Sequence, residues 1–207
     1  MQISDHEQGT TEWLASRIGK ITGSGMSKLI TSTGKKSTSA ESYINQLIAE
    51  RITGEQTPMY VNAHMERGTE LEDEAREYYR FIYDADIQEV GLCTHDEFPD
   101  VGISPDGLIW DNKTGKFYGI EIKCPAAKTQ VEVLRRNRLP SQYVAQVQAC
   151  IWVSGADYWD FMSWHPQMKP FLIRVMRDDD FIGEMAALCA EAIESITFNV
   201  EKLRSKK

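Results

Sequence analysis

The stretch VGISPDGLIWDNKTGKFYGIEIKCP, Val101 to Pro125, has the alternation of a strand pair but carries two acids and a lysine in apolar surroundings. Successive strand side chains point to opposite faces, so Tyr118, Ile120 and Ile122 share one face while Phe117, Gly119, Glu121 and Lys123 share the other. The turn formers of DNKTGK, Asp111 to Lys116, predict that a strand over Gly102 to Trp110 folds back on one over Phe117 to Cys124. That hairpin brings Asp106 beside Glu121. Two carboxylates and an amine then converge at one end of a mostly apolar sheet, where unpaired charge is costly.

A salt-bridge cluster on a solvated strand face is the plainer explanation. Against it stands Ser104-Pro105-Asp106-Gly107, since proline removes a ladder donor and glycine weakens strand packing. Such an interruption suits a bent strand end that aims a carboxylate. Hard oxygen ligands from Asp106 and Glu121, completed by water and a phosphate, are what Mg²⁺ requires. Lys123 beside them can position or deprotonate an attacking water, or neutralise charge on a phosphate.

Around this centre the chain has an ordinary composition. Its 207 residues, 42% apolar and 26% charged, suit a single domain spanning 1–207. MQISDHEQGT lacks a basic region followed by an apolar run, and no stretch approaches the roughly 18 apolar residues of a membrane span, so a cytosolic protein without membrane association is expected. Cys93, Cys124, Cys150 and Cys189 form no CxxC pair, which excludes a zinc ribbon or a disulfide framework and predicts reduced thiols. His6, His64, His95 and His165 show no ligand spacing. TGKKST lacks the order of a Walker loop, and DNKTG places glycine one position early for an EF-hand.

The formal charge of −8 weighs against nucleic acid, but its distribution is uneven. Basic residues gather at Lys28, Lys35 and Lys36, at Lys128, Arg135, Arg136 and Arg138, and at Lys202, Arg204, Lys206 and Lys207. Acids dominate Glu66 to Glu77 and Asp178 to Asp180. A basic channel in an acidic exterior and mere surface scatter are both compatible with this split.

Periodicity gives an α/β layout. Helices are expected over Thr11–Arg17, Gly25–Ile30 with Ser24 as cap, Ala40–Thr53 ended by Gly54, the Leu71–Ile82 region, Gln142–Val153 and Asp180–Leu203. Strands are expected over Ile87–Thr94, in the central hairpin, and in a second hairpin, Tyr158–Trp164 with Phe171–Met176. The expected body is a mixed central β-sheet flanked by helices.

Pro105-Asp106 with Glu121-Ile122-Lys123 resembles the PD-(D/E)xK nuclease signature, a short pattern that three further blocks make specific. WLASRIGKITGS (Trp13–Ser24), RGTELEDEAR (Arg67–Arg76) and YVAQVQ with Trp152-Val153 (Tyr143–Gln148) stand in the order found in the phage lambda-type (YqaJ-like) alkaline exonucleases. Segments Thr31 to Glu41, Lys128 to Leu139 and the C-terminal tail match only loosely. The resemblance implies a restriction-endonuclease-like fold and a Mg²⁺-dependent 5′ to 3′ exonuclease of linear double-stranded DNA that leaves a 3′ overhang for recombination by strand annealing. Two Mg²⁺ ions, with Mn²⁺ as a substitute, would be held by Asp106, Glu121, the carbonyl of Ile122 and Glu72. Lys123 and Gln148 would complete the catalytic set, and Tyr143 would wall it.

Arg17 and Ser24 flank a glycine-containing turn that opens a helix, where amides and dipole favour an anion. The resemblance implies that they hold a 5′-phosphate. It also implies a homotrimeric ring, a single-strand annealing recombinase as partner, and a phage or prophage origin. Another PD-(D/E)xK endonuclease of restriction or repair, and a noncatalytic DNA-end-binding module, remain alternatives.

Overall fold

Ser104-Pro105-Asp106 does more than bend a strand: it divides two sheets. The computed structural model describes residues 1–57 and 63–204, the side chains of residues 63–70 excepted. The side chains of His64 and of the leading Arg67–Glu70 of the second motif block, and the basic Lys206 and Lys207, therefore lie outside the described residues. In chain order the elements are β1 (Gln2–Ile3), α1 (Thr11–Ser16), β2 (Ile21–Thr22), α2 (Met26–Leu29), α3 (Ala40–Thr53), α4 (Ala63–Tyr83), β3 (Ile87–Gln88) and β4 (Cys93–Thr94). They continue with β5 (Val101–Ile103), β6 (Gly107–Asp111), β7 (Lys116–Lys123), α5 (Ala127–Arg136), α6 (Val144–Ser154), β8 (Tyr158–Ser163), β9 (Phe171–Met176) and α7 (Asp179–Arg204).

The strand expected over Gly102 to Trp110 is thus two strands. β5 belongs to a sheet ordered β1-β4-β5-β2, and β6 to one ordered β3-β6-β7-β8-β9. Ile87 to Thr94 is divided in the same way, β3 pairing with β6 and β4 with β5. Alternation alone cannot report such a change of sheet, because it continues on both sides of the break. The hairpin itself forms as expected, with Ile109 opposite Tyr118 and Gly107 opposite Ile120.

β7 and β8 run parallel, Glu121 beside Phe161 and Lys123 beside Ser163, and a parallel pair needs a long crossover. α5 and α6 supply it. α5 was not expected from sequence: its apolar positions are few, and Val131 is 43% exposed.

The larger sheet buries both faces. Tyr118, Ile120 and Ile122 pack with Ala75 and Tyr79 of α4, and with Met162. Trp159 and Phe161 face the other way, joining α6, Met26 and Leu29 of α2, Leu47 of α3, and Met185 and Ile196 of α7. Gly119 is required there, since a Cβ would meet the Trp159 ring at 2.2 Å. Cys93, Cys150 and Cys189 are buried, Cys124 is partly so, and none of the four forms a disulfide. Among the described residues no helix is long and apolar enough to cross a membrane.

Candidate active site

The chemistry-bearing residues collect where β6 begins and β7 ends. Leaving β5, the chain passes through Ser104 and Pro105, and Asp106 meets β7 just beyond the last ladder pair, accepting a hydrogen bond from the Ile122 amide at 2.5 Å. In a strand the amide and carbonyl of one residue point to the same side, so the Ile122 carbonyl also faces the end occupied by Asp106. Arg76 of α4, itself buried, steadies this corner by donating to the Asp106 carbonyl at 2.9 Å.

Glu121 lies on the opposite face of β7 from Ile122 and is 1% exposed. Its Oε1 accepts from the Lys123 ammonium and, at 2.5 Å, from Gln146 Nε2. Its Oε2 is buried without a partner. A buried acceptor left open costs about 1–3 kcal/mol, which marks it as a position that expects another ligand. Burial pushes the Glu121 carboxyl up to about 7; the charge of Asp106 adds to the shift and Lys123 opposes it. Burial also raises the Asp106 carboxyl. Glu72 of α4 is pushed up to about 8, first by burial and then by Asp106 beside it. Burial works against the charge on Lys123, but Glu121 and Asp106 outweigh it and hold the ammonium protonated.

Three crowded carboxylates with raised pKa values and one orphaned oxygen form an electrostatically incomplete site. A divalent cation fits it: Asp106, Glu121 and the Ile122 carbonyl offer hard oxygen donors, with Glu72 behind Asp106. Among the described residues no three His, Cys, Asp or Glu side chains stand at ligand spacing by themselves. The carbonyl, water and a phosphate would have to complete any shell. Glu72 also pairs with Arg76 at 3.1 Å, so the solvated i,i+4 pair and the site-facing carboxylate are the same residue.

Gln148 is not part of this cluster. Its amide donates to the Met176 carbonyl at 2.9 Å and accepts from the Asp178 amide at 3.1 Å, tying α6 to the end of β9. Gln146 reaches Glu121 instead. Two residues correspond to about 200° of helix, so of two glutamines in YVAQVQ only one can face the sheet end. Tyr143 precedes Gln146 by three residues and does face it, with its ring 5.7 Å from the Lys123 ammonium and 5.1 Å from the Phe161 ring.

Arg17 closes α1 and reaches Ser104, two residues before Asp106. Its Nη1 donates to Ser104 Oγ at 2.8 Å, Trp13 Nε1 donates to the same oxygen at 3.1 Å, and the guanidinium lies 4.3 Å from the centre of the Trp13 ring. With two donors on its oxygen, the Ser104 hydroxyl keeps its own proton to give away. Ser24 lies 3.5 Å from Arg17 Nη2, but it sits inside a single turn of 3₁₀ helix, Gly23–Gly25, and caps nothing; α2 begins at Met26 and is four residues long. Hydroxyls and the guanidinium, rather than a helix dipole, therefore make this corner attractive to an anion. Burial lowers the Arg17 pKa, as expected of a cation held partly out of water.

The loop carrying Arg17 is clamped by α3. Glu50, buried, accepts from the Gly19 amide at 3.0 Å, and Arg51 donates to the Gly19 carbonyl at 2.9 Å while pairing with Asp100 at 2.8 Å. Gly19 has φ +67°, and a Cβ there would meet Arg51 Cγ at 2.3 Å, so the position excludes every other residue. On the far side of Lys123 a cleft of about 370 Å³ opens between α5 and the start of α6, lined by Arg136, Arg138, Tyr143 and Ser163 among others. A larger cavity of about 600 Å³, beside Tyr78 and Phe171, includes none of the acids described above.

A sheet end bearing PD and ExK residues between flanking helices defines a nuclease of the PD-(D/E)xK fold. The YqaJ-like viral recombinase domain matches residues 12–157, and the chain belongs to that family of lambda-exonuclease-type nucleases. It is similar to LHK-Exo, an alkaline exonuclease from Laribacter hongkongensis that has also been solved with dAMP, at 33% identity over 95% of this chain and 97% of the other, with a TM-score of 0.84. A phage related exonuclease from Haemophilus somnus 129PT shares the fold at 16% identity, covering 89% and 96% of the two chains, with a TM-score of 0.65. No curated protein matches the chain at a comparable level.

Proposed function

We propose that the protein is a divalent-metal-dependent exonuclease that digests one strand of linear double-stranded DNA from its 5′ end. The observation that carries this is the three-residue link from Ser104, which holds Arg17, to Asp106: it joins an anion-holding corner to the acidic site. In this reading Arg17, Ser24 and Ser104 take the terminal phosphate, and the next phosphodiester falls over Asp106, Glu121 and Lys123. Mg²⁺ held by Asp106, Glu121 and the Ile122 carbonyl, with Glu72 behind, would lower the pKa of water and stabilise the leaving oxygen, two ions dividing these tasks and Mn²⁺ serving as a substitute. Lys123, held protonated, orients the attacking water and offsets charge on the phosphate rather than taking a proton. Gln146 fixes the Glu121 carboxylate in one rotamer, leaving Oε2 pointing at the ligand. Tyr143 walls the site beside Lys123.

Attack by water at phosphorus breaks the bond to the 3′ oxygen of the terminal nucleotide. A 5′-mononucleotide leaves, and the shortened strand carries a new 5′-phosphate for Arg17. The dAMP solved with LHK-Exo is a mononucleotide of this kind. The viral recombinase description of the family supports a role in recombination; in this reading the 3′ overhang passes to a single-strand annealing recombinase within a bacterial host cell. A net charge of −8 gives a lone chain little hold on duplex, which favours a trimeric ring that retains DNA by enclosing it; light scattering showing a monomer that still digests processively would remove that part.

Linear duplexes labelled at the 5′ or the 3′ end of one strand, and a closed circular duplex, test the reading. Early release of the 5′ label as mononucleotide with Mg²⁺, late release of the 3′ label and an intact circle are expected. Nicking of the circle would make the protein an endonuclease, and no metal-dependent release would leave an end-binding module.

A further inference from the structure

The strand order separates the two flanks of the site. Asp106 and the Arg17 corner lie on the β6 side of β7, whereas Phe161 and Ser163 of β8 lie on the other. The cleft beside Lys123 opens on this second flank. Its outer wall is the end of α5, where Asn137 takes the left-handed conformation at φ +46° and turns the chain, so that Arg136 in the last helical turn and Arg138 beyond it both line the same opening. Arginine near a helix C-terminus is ordinarily explained by the dipole, but Arg138 stands outside the helix. Neither arginine forms an ion pair with another described residue, and among the described residues lining the cleft the one carboxylate, Glu132, is outnumbered by Arg136 and Arg138, Lys123 being already paired with Glu121. The inner wall is aromatic: Tyr143 and Phe161 both line the cleft, their ring centres 5.1 Å apart.

Cations along one wall and an aromatic ring on the other are what a single strand needs, phosphates on the guanidiniums and a base against the ring. We propose that this cleft holds the digested strand on the 3′ side of the scissile bond, with Arg136 and Arg138 binding the phosphates that follow it and Tyr143 carrying the adjoining base. The proposal rests on the exonuclease reading for the direction of the strand. On the β6 flank the terminal nucleotide is held; on the β8 flank the polymer is held, so strand retention and end recognition use different residues.

The test compares wild type with Arg136→Gln/Arg138→Gln and Arg136→Lys/Arg138→Lys, using a 5′-phosphorylated dinucleotide and a 5′-phosphorylated octanucleotide. The dinucleotide has no phosphate beyond the scissile one. The glutamine pair should lower kcat/KM on the octanucleotide about tenfold to a hundredfold, mostly through KM, and leave the dinucleotide within about twofold. In EDTA, anisotropy of a labelled octanucleotide should show the slope of log K against log salt falling by about 1.4, roughly 0.7 for each single-strand phosphate that is no longer neutralised, with the lysine pair keeping most of it. Equal losses on both lengths, an unchanged slope, or a lysine pair no better than the glutamine pair would overturn the proposal. Because the slope is read without catalysis, a wild-type protein that failed to cut DNA would sink the nuclease reading while the slope still decided the cleft.

Discussion

Asp160 and Glu121 sit on adjacent parallel strands, each 1% exposed, one on either face of the larger sheet. Under α4, Asp160 has every need met: Tyr79 donates to Oδ2 at 2.6 Å, and Arg174 donates to both oxygens at 2.9 and 3.0 Å from above the Tyr158 ring. Under α6, Glu121 has one oxygen doubly served and the other bare. Equal burial therefore means opposite things. A carboxylate with both oxygens bonded by the fold is structural, and one with an oxygen the fold leaves bare is waiting for something the fold does not contain.

Substitution separates the two most sharply. Glu121→Ala, Asp106→Ala and Lys123→Ala should each lower the exonuclease rate by about a thousandfold or more with the circular dichroism spectrum kept, because each removes part of the charge arrangement that stabilises the transition state. Asp160→Ala should do the reverse. Its loss strands the buried Tyr79 hydroxyl, and with Arg174 half-exposed the cost is about 2–3 kcal/mol, a fall in Tm of roughly 4–12 °C with specific activity kept. Near-normal digestion by Glu121→Ala, or a dead but fully stable Asp160→Ala, would break the comparison.

Arg17→Ala should be the next largest effect, slowing digestion of 5′-phosphorylated ends by tens to more than a hundredfold, as expected for about 2–3 kcal/mol lost at the transition state, and of 5′-hydroxyl ends little. Equal slowing on both ends would make Arg17 structural. The glutamines of α6 repeat the contrast on a smaller scale. Gln146→Ala should cost about tenfold in rate at unchanged Tm, and Gln148→Ala about 1–2 kcal/mol of stability at unchanged rate, since it leaves a carbonyl and an amide unpaired. Rates and melting curves on the two proteins decide this, and a slow Gln148→Ala with normal Tm would restore the expectation made from sequence.

The smallest effect is one of pH in EDTA. Glu121 at about 7 and Glu72 at about 8 are both raised above their unfolded values near 4.5. Their contribution to stability is fully present below the unfolded pKa and is lost as pH rises through the folded one. Metal-free Tm should therefore fall by a few degrees between pH 5 and pH 8. Glu121→Gln should flatten the fall and Mg²⁺ at pH 8 should reverse it; a Tm that rises with pH in EDTA would contradict the crowding described for the site.

Much of the site was legible because its signals are local. A proline and a glycine around Asp106 announce an interrupted strand, and the two-residue repeat places Glu121 and Lys123 on one face without knowledge of the fold. The Ala40–Thr53 helix and its Gly54 stop were equally plain, glycine at φ +72° being the usual ending. What escaped was decided by tertiary packing. That Ile103 ends one sheet and Gly107 begins another depends on β4 and β2 claiming β5. Which glutamine of YVAQVQ faces Glu121 depends on the rotation of α6, fixed by packing around Val147 and Ile151 and invisible in the motif. Asp160 and Arg174 lie 14 residues apart on opposite arms of a hairpin, and their pairing exists only once β8 and β9 are in register.

The three-residue link from Ser104 to Asp106 has a metrical consequence. Two peptide steps span on the order of 7 Å at most, close to the backbone reach of one extended nucleotide. Under the proposed function this covalent span acts as a tether: the hydroxyl that meets the strand's end and the carboxylate that faces the cut cannot part by more than it allows, however the two sheets on either side of it move. In that reading the upper limit on product size is written into the primary structure, close to one nucleotide per cut.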